Sequence, residues 1–399
     1  MSLHVAVVIE TFNPAAGGAE RSTAQIVAEL LKRGHRVTVL AGFTPPGIPG
    51  SDGSFTSENF ELRAFSHRRS SGVLRLWRFA KWARRELDEL ESSGGGAVSL
   101  SITNAVAAAV MQPRGGTVIE TLARNVATRA PRKRRLKKLT IRIDPKQQLL
   151  LKLERENLRS PGVRTIVAVG SYVVRQLEKH YGIAGDKVVL IPNASVTPQR
   201  DPAQAAQVRA DLRAGLGLGE ATTVFAFVAM NPRLKGLDTL WRAAEILRDR
   251  GVDFAVLLAG AMGHRQGVEA SRRKLTQQMR VLGRVNDAST VYLAADVTVL
   301  PTFYDPSSKV VIESLMLGRP AISTSYNGAS DFIEGYGGPL RGRTIGEADD
   351  AGALATAMAE LCDKAERNRC AAACAGLAEQ LTMARHVDAL ERVLEQAAG

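Results

Sequence analysis

The sequence predicts an α/β protein built as two doubly wound domains that face each other across a cleft. Three observations carry this reading. An apolar strand, a loop, an amphipathic helix and a second apolar strand follow one another at the start of the chain. The same alternation begins again near residue 223, and a polar, proline-containing segment separates the two series. At 399 residues the chain is long enough for two or three domains.

Taken in order, His4 to Ile9 forms the first strand, and Ala24, Ile26, Val27, Leu30 and Leu31 mark the buried stripe of the helix behind it. Gly34 stops that helix before the strand Arg36 to Leu40. The segment Pro192 to Pro202 is the linker. A strand from Thr223 to Ala229, a helix from Leu237 to Arg248 and a strand from Phe254 to Ala259 open the second series. A last unit runs from the strand Val297 to Leu300 through the loop Pro301 to Ser308 and the helix Lys309 to Leu317 to the extended Pro320 to Ser323. The expected domains are therefore 1–195 and 196–380, with a terminal helix over 381–399 that packs back on the first domain.

Composition excludes several classes. No apolar run approaches the roughly 20 residues of a membrane span. The apolar start lacks the basic region and cleavage site of a secretory signal, which points to a cytoplasmic protein. Cys362, Cys370 and Cys374 fall at helical spacings with no metal-ligand pattern, so they are expected to be packing residues. Net charge is +13, concentrated in two stretches. Residues 63–85 hold eight Arg and Lys with no acid, and residues 129–146 hold nine against Asp144 alone. Each stretch is also rich in apolar residues, the first in Trp77 and Trp82, the second continuing into Leu149, Leu150, Leu151 and Leu153. That mixture fits an anionic membrane face better than a nucleic-acid groove, with packing of the same apolar residues of the first stretch in the core an equal alternative, so the expected placement is peripheral, on the inner face of the plasma membrane, with no nucleic acid bound.

Ligand sites in doubly wound sheets lie beyond the carboxyl ends of the strands. Gly17 and Gly18, in Gly17-Gly18-Ala19-Glu20-Arg21, open the first helix and let backbone amides approach a phosphate; they do not form a dinucleotide fingerprint. In the second domain Asn231-Pro232-Arg233-Leu234-Lys235-Gly236 places Arg233 and Lys235 in a strand-to-helix loop, where an anion would sit. The segment from Phe303 to Glu313 puts Asp305 in a loop, Ser307 and Ser308 at a helix start with amides for a diphosphate, and Glu313 about one turn inside, where a carboxylate meets a ribose diol.

These motifs, with Gly283-Arg284-Val285 and Leu315-Met316-Leu317-Gly318-Arg319-Pro320, resemble the retaining glycosyltransferases of family four, and the resemblance spans nearly the whole chain. It implies a GT-B type fold and is most similar to the lipopolysaccharide-core α-glucosyltransferases. It implies Asp305, Lys235 and Arg233 as catalytic residues, and Gly17, Gly18, Ser307, Ser308, Lys309, Val310, Glu313, Gly283 and Arg284 as donor-binding residues. The stretch Gln112-Pro113-Arg114-Gly115-Gly116-Thr117 with Glu120 is similar to that subgroup, so Arg114 and Glu120, with Asn104, are expected at the acceptor or donor sugar. The implied substrates are a nucleotide sugar, best a UDP-sugar carrying glucose, and a glycan or lipid-linked glycan, with no resident cofactor and no metal. Three departures stand out. Asp305 replaces the usual glutamate, Lys309 replaces an apolar residue, and none of the six histidines occupies the position of the cleft histidine of many relatives; Ser101 to Asn104 is the region expected to replace it. The alternatives are a non-catalytic family member, a basic nucleic-acid-binding protein, and a nucleotide-sugar isomerase on the same fold.

Overall fold

The computed structural model describes residues 2–15, 17–44, 55, 57–65, 72–92, 96–196 and 200–399; Arg68 and Arg69 of the first basic stretch and residues 197–199 of the linker lie outside them. The chain divides into two units, Met1–Asn193 together with Met383–Gly399, and Ala194–Thr382.

The first unit is built on strands β1 (His4–Ile9), β2 (Arg36–Ala41), β3 (Phe60–Ala64), β4 (Val98–Ser101), β5 (Val110–Met111), β6 (Thr165–Ala168) and β7 (Val188–Leu190). Among the described residues they form one sheet in the order β3-β2-β1-β4-β5-β6-β7, each neighbouring pair parallel. Val5 pairs with Val37 on one side and Val98 on the other, so β1 is central and buried on both faces, as its unbroken apolar run requires. Strand order reverses at β1 and β4, and the crevice beyond their carboxyl ends is where such a sheet binds ligands.

Among the described residues six helices of this unit precede the linker: α1 (Ala19–Lys32), α2 (Gly72–Ser92), α3 (Val118–Ala127), α4 (Pro131–Ile143), α5 (Pro145–Leu158) and α6 (Ser171–Tyr181). Helix α2 buries Leu76, Phe79, Ala83, Leu87 and Leu90, a three-to-four spacing that turns its arginines outward. Trp82 stacks between Phe65 and Phe79, with ring centroids 5.5 and 6.2 Å away, and Leu149, Leu150 and Leu153 of α5 pack on the same cluster. These apolar residues of the basic stretches thus belong to the core rather than to an outer face; Trp77 alone of the two tryptophans is exposed. Helix α4 differs, since it buries no residue and leaves Leu136, Leu139 and Ile143 exposed among its basic side chains.

The C-terminal helix Met383–Ala398 completes this unit. Its stripe of Met383, His386, Val387, Leu390, Val393, Leu394 and Ala397 is buried. Polar ties fix its register. The Arg33 guanidinium donates to Asp388 (2.6 Å), Glu391 (2.8 Å) and the Ala384 carbonyl (2.9 Å). His35 accepts from the Leu3 amide through Nδ1 (3.1 Å), which leaves its Nε2 proton for Glu391 (2.9 Å).

The second unit holds β8 (Thr223–Ala229), β9 (Phe254–Gly260), β10 (Met279–Gly283), β11 (Val297–Val299), β12 (Ala321–Thr324) and β13 (Gly342–Ile345), in the order β10-β9-β8-β11-β12-β13 and again parallel. Here the order reverses at β8 and β11. The helices that bear on the site are α7 (Pro202–Gly215), α8 (Leu237–Asp249), α9 (His264–Arg272), α10 (Ala288–Ala294) and α11 (Lys309–Met316). One apolar cluster, from Phe225 and Trp241 through Val299 and Ile312 to Cys370 and Cys374, fills one face of this sheet. Two of the three cysteines are therefore buried packing residues.

Candidate functional site

The loops that leave β8 and β11 at the reversal of strand order are stitched together. Asn231 closes the first loop on itself, its Oδ1 accepting from the Leu234 amide (3.3 Å) and its carbonyl from the Lys235 amide (3.0 Å). The Leu234 carbonyl then accepts from the Phe303 amide (2.9 Å) and the Thr302 hydroxyl (3.2 Å) of the second loop. Gly236, at the start of α8, has φ +84°, and a Cβ there would run into the Pro301 carbonyl. Only glycine allows both the left-handed backbone and this close approach.

That stitching brings Lys235 and Asp305 together. The Lys235 ammonium donates to Asp305 Oδ2 at 2.5 Å and to the Tyr304 carbonyl at 3.4 Å, and the two side chains retain 20% and 14% exposure. An ammonium has three N–H donors, so one direction remains for a ligand. Asp305 Oδ1 accepts from the Ser307 amide (3.2 Å), and Asn327 Oδ1 accepts from the amides of Ser308 (3.1 Å) and Ala329 (3.0 Å). The Ser307 and Ser308 amides expected to meet a diphosphate are thus already bonded to side chains. Lys309 and Val310, in the first turn of α11, carry the next amides along. Arg233 is exposed on the same loop as Lys235.

Glu313, five residues into α11, accepts from the Ser195 hydroxyl (2.7 Å) and from the Tyr292 hydroxyl (3.3 Å). Burial, reinforced by the Glu313 charge, holds the Tyr292 phenol well above its ordinary pKa, so it stays a donor. Gly283, at the end of β10 with φ +73°, lines a groove of about 540 Å³ with Gly263, His264 and Val268 of the α9 turn; Arg284 is exposed beside it. The sequence motifs single out Gly283 but not Asn327, Ser195, Tyr292 or the groove residues Gly263, His264 and Val268. Asn327, Ser195 and Tyr292 act through partners distant in sequence, a relation that local spacing does not carry.

In the first unit Gly18 takes φ +70° as the cap of α1, beside the carboxyl end of β1. Glu10, next after β1, accepts from the Thr103 hydroxyl (2.8 Å) beyond β4. Asn104 donates to the Gly116 carbonyl (2.8 Å), and its buried Oδ1 has no hydrogen-bond partner among the described residues. Arg114 and Glu120 are enclosed. Arg114 donates to Gln112 (3.1 Å) and to Asn193, with His386 Nε2 at 3.5 Å, and burial lowers its pKa to about 10. Glu120 accepts from Tyr172 (2.9 Å) and Arg124 (2.8 Å) and meets His180 at 2.6 Å. Burial favours its neutral form, but these partners outweigh it and hold its pKa at about 2. Those bonds occupy the groups that a sugar hydroxyl would take. Among the described residues no group of three His, Cys, Asp and Glu is placed to hold a metal ion, and no helix is long and apolar enough to cross a membrane.

Comparison with known proteins follows this division of the chain. Residues 16–197 match the family model described as "Glycosyltransferase Family 4", and residues 222–364 match "Glycosyl transferases group 1". Among solved structures, WaaG, a glycosyltransferase involved in lipopolysaccharide biosynthesis, superposes with a TM-score of 0.73 at 18% identity over 99% of this chain and 98% of that one. The fold is GT-B. Other GT-B structures align as fully. Sucrose-phosphate synthase from Thermosynechococcus elongatus has a TM-score of 0.72 at 17% identity, over 99% and 98% of the two chains. HepE from Anabaena, in complex with UDP and glucose, has 0.66 at 13% identity, over 98% and 99%. In sequence, a D-inositol 3-phosphate glycosyltransferase of Nocardiopsis dassonvillei is 30% identical over 182 residues, and a probable transglycosylase of Burkholderia thailandensis is 31% identical over 171. These matches span 42–43% of this chain and 41–43% of the relatives, so the chain aligns with about two fifths of their length. Both units of this GT-B chain thus match glycosyltransferase models.

Proposed function

We propose that the chain is a glycosyltransferase that moves a hexosyl group, glucose in the first instance, from a UDP-sugar to a hydroxyl of a glycan or lipid-linked glycan such as a lipopolysaccharide core, with retention at the anomeric carbon. The observation that carries this reading is the Lys235–Asp305 pair at the reversal of strand order, beside the first turn of α11 and with Glu313 inside that helix. HepE, bound to UDP and glucose, and WaaG, of lipopolysaccharide biosynthesis, support the choice of donor and acceptor.

When the bond from the anomeric carbon to the diphosphate breaks, negative charge gathers on the leaving phosphate. Lys235, held by Asp305, and the first-turn amides of Lys309 and Val310 are fixed donors for that charge, Arg233 adds an exposed cation from the same loop, and the two cations do this without a metal. The acceptor hydroxyl attacks from the face the diphosphate leaves and gives its proton to a phosphate oxygen. Asp305, paired with Lys235, orients the ammonium and meets the donor sugar rather than attacking it. Glu313 takes the ribose hydroxyls. Incubation with a panel of nucleotide sugars, with release of nucleoside diphosphate as the readout, tests the reading. Slow hydrolysis of one donor, accelerated by a glycan acceptor, is the expected result. Interconversion of the nucleotide sugar without an acceptor would establish the isomerase instead.

The exposed face of α4 fits docking on an anionic cytoplasmic membrane. Leu136, Leu139 and Ile143 are 64%, 55% and 70% exposed, flanked by Arg132, Lys133, Arg135, Lys137, Lys138 and Arg142. Each such cation is worth about 1 kcal/mol at the surface. Trp77 of α2, with the Lys81 ammonium 5.3 Å from its ring, is the exposed tryptophan of the first basic stretch. Sedimentation with anionic vesicles should lose the protein when Leu136, Leu139 and Ile143 are changed to Ser; retention by neutral vesicles alone contradicts the assignment.

A further inference from the structure

The turn after β12 carries a buried side chain that no sequence motif marks and that the proposed chemistry leaves without a role. Asn327 Oδ1 accepts from the Ser308 amide (3.1 Å) at the start of α11 and from the Ala329 amide (3.0 Å) of its own turn, and its Nδ2 donates to the Ser323 hydroxyl (2.9 Å) of β12. Ser323 sends its own proton to the Leu300 carbonyl (2.9 Å) just past β11, so toward Asn327 it can only accept. The amide group therefore has one workable orientation.

The backbone repeats the tie. The Asp305 amide donates to the Tyr326 carbonyl (2.9 Å) and the Asp305 carbonyl accepts from the Gly328 amide (3.0 Å), so the two turns run side by side with Asn327 opposite Asp305. The loop that carries Asp305, Ser307 and Ser308 is thus held from β12 at both of its ends.

Ser308 stands at the cap of α11, the position whose side chain ordinarily bonds the second or third amide of a helix, yet among the described residues its hydroxyl makes no such bond. The capping comes from Asn327 instead, and it stops at the Ser308 amide. Beyond it the amides of Val310 and Val311 point out of the helix end, in a turn that contains no acid. A cap of this kind can be neutral or charged, with opposite effects on an anion. An aspartate would hold the same two amides, but its charge would lie buried at the end of the helix that faces the ligand and would cancel the helix field there. An asparagine holds the amides and leaves that field to the ligand.

We infer that Asn327 is a positioning residue for the donor's diphosphate: it fixes the loop from Asp305 to Ser308 and caps α11 without charge, so that the first-turn amides meet the phosphates in place and unopposed. The inference rests on the transferase reading, in which that turn takes the diphosphate.

Calorimetry on the full chain with UDP and with uridine tests it, because uridine shares the nucleoside and lacks the phosphates. Asn327→Asp keeps an acceptor for both amides and adds a charge, whereas Asn327→Ala removes the cap and adds none. Each should weaken UDP at least about tenfold and uridine less than about threefold, with thermal melts to identify the folded variants. Equal losses for UDP and uridine, or UDP held by both variants as tightly as by wild type, overturn the proposal. Failure of both variants to fold overturns it too, since Asn327 would then support the unit and nothing more. A loss of UDP in Asn327→Ala alone overturns the argument from charge, and a loss in Asn327→Asp alone overturns the argument from position. Wild-type protein that binds no UDP removes the transferase reading itself; wild-type binding with unchanged variants removes the role of Asn327 and leaves that reading standing.

Discussion

Replacing Lys235 by Ala removes the ammonium that the proposed mechanism needs most. In the structure Nζ lies 2.5 Å from Asp305 Oδ2, with a further bond to the Tyr304 carbonyl, so its position is set before a donor arrives. Loss of one such preorganised donor raises a barrier by about 2.7–4 kcal/mol. At about 1.36 kcal/mol per factor of ten, kcat should fall by about 10²–10³. The fold should lose far less, about 1 kcal/mol, because the pair is partly exposed and Asp305 keeps its bond from the Ser307 amide while Asn327 still braces the loop. The assay is single-turnover release of nucleoside diphosphate, with circular dichroism as the control for folding. Asp305→Asn supplies a second axis. If Asp305 acts chiefly by holding Lys235, the double variant should be no slower than Lys235→Ala, since groups acting as one unit are not additive. A folded Lys235→Ala protein that keeps more than about a tenth of wild-type turnover refutes the argument.

Glu313→Gln should weaken binding of free UDP by about tenfold or more, whereas Ser195→Ala, which removes only one brace of the carboxylate, should change it less than about threefold; calorimetry separates the two. Gly236→Ala should cost at least about 2 kcal/mol of stability, seen in urea melts, because φ +84° and the Pro301 carbonyl both oppose a Cβ. Glu120, held near pKa 2 against an ordinary 4.5, contributes about 3 kcal/mol that is fully present above pH 4.5 and drains away as pH falls toward 2. Thermal melts of Glu120→Gln should therefore lie below wild type at pH 7 and converge with it toward pH 2; parallel curves would remove the carboxylate from that role.

Much of the scaffold was legible because it is local. The run from Val5 to Ile9 is too apolar for any place but a strand covered on both faces, and Gly34 and Gly318 stand where their helices must end. The loops at Lys235 and Asp305 were legible as strand-to-helix turns, though not their meeting, which depends on β8 and β11 being neighbours. What escaped sequence is long-range choice between equivalent faces. Trp82, Leu149 and Leu153 find apolar partners on α2 and α5, whereas Leu136, Leu139 and Ile143 stay largely exposed, and the periodicity of the two sets is alike. The Ser308 amide follows the same pattern, because its bond goes to an asparagine nearly twenty residues on.

The C-terminal helix makes the first unit discontinuous, and this bears on how the protein is made and how it can be cut. Residues 1–193 leave the ribosome well before 383–399, so Arg33, His35 and His386 cannot find their partners until the whole of 194–382 has been translated. The second unit, by contrast, is one uninterrupted piece and can close on itself during synthesis. An expression clone ending at residue 193 would leave bare the surface of α1 and β4 that the terminal helix covers, and should precipitate, while a clone of 194–382 should yield soluble protein. A circular permutant that joins residues 383–399 to residue 2 through a short linker would give the first unit as a single continuous chain.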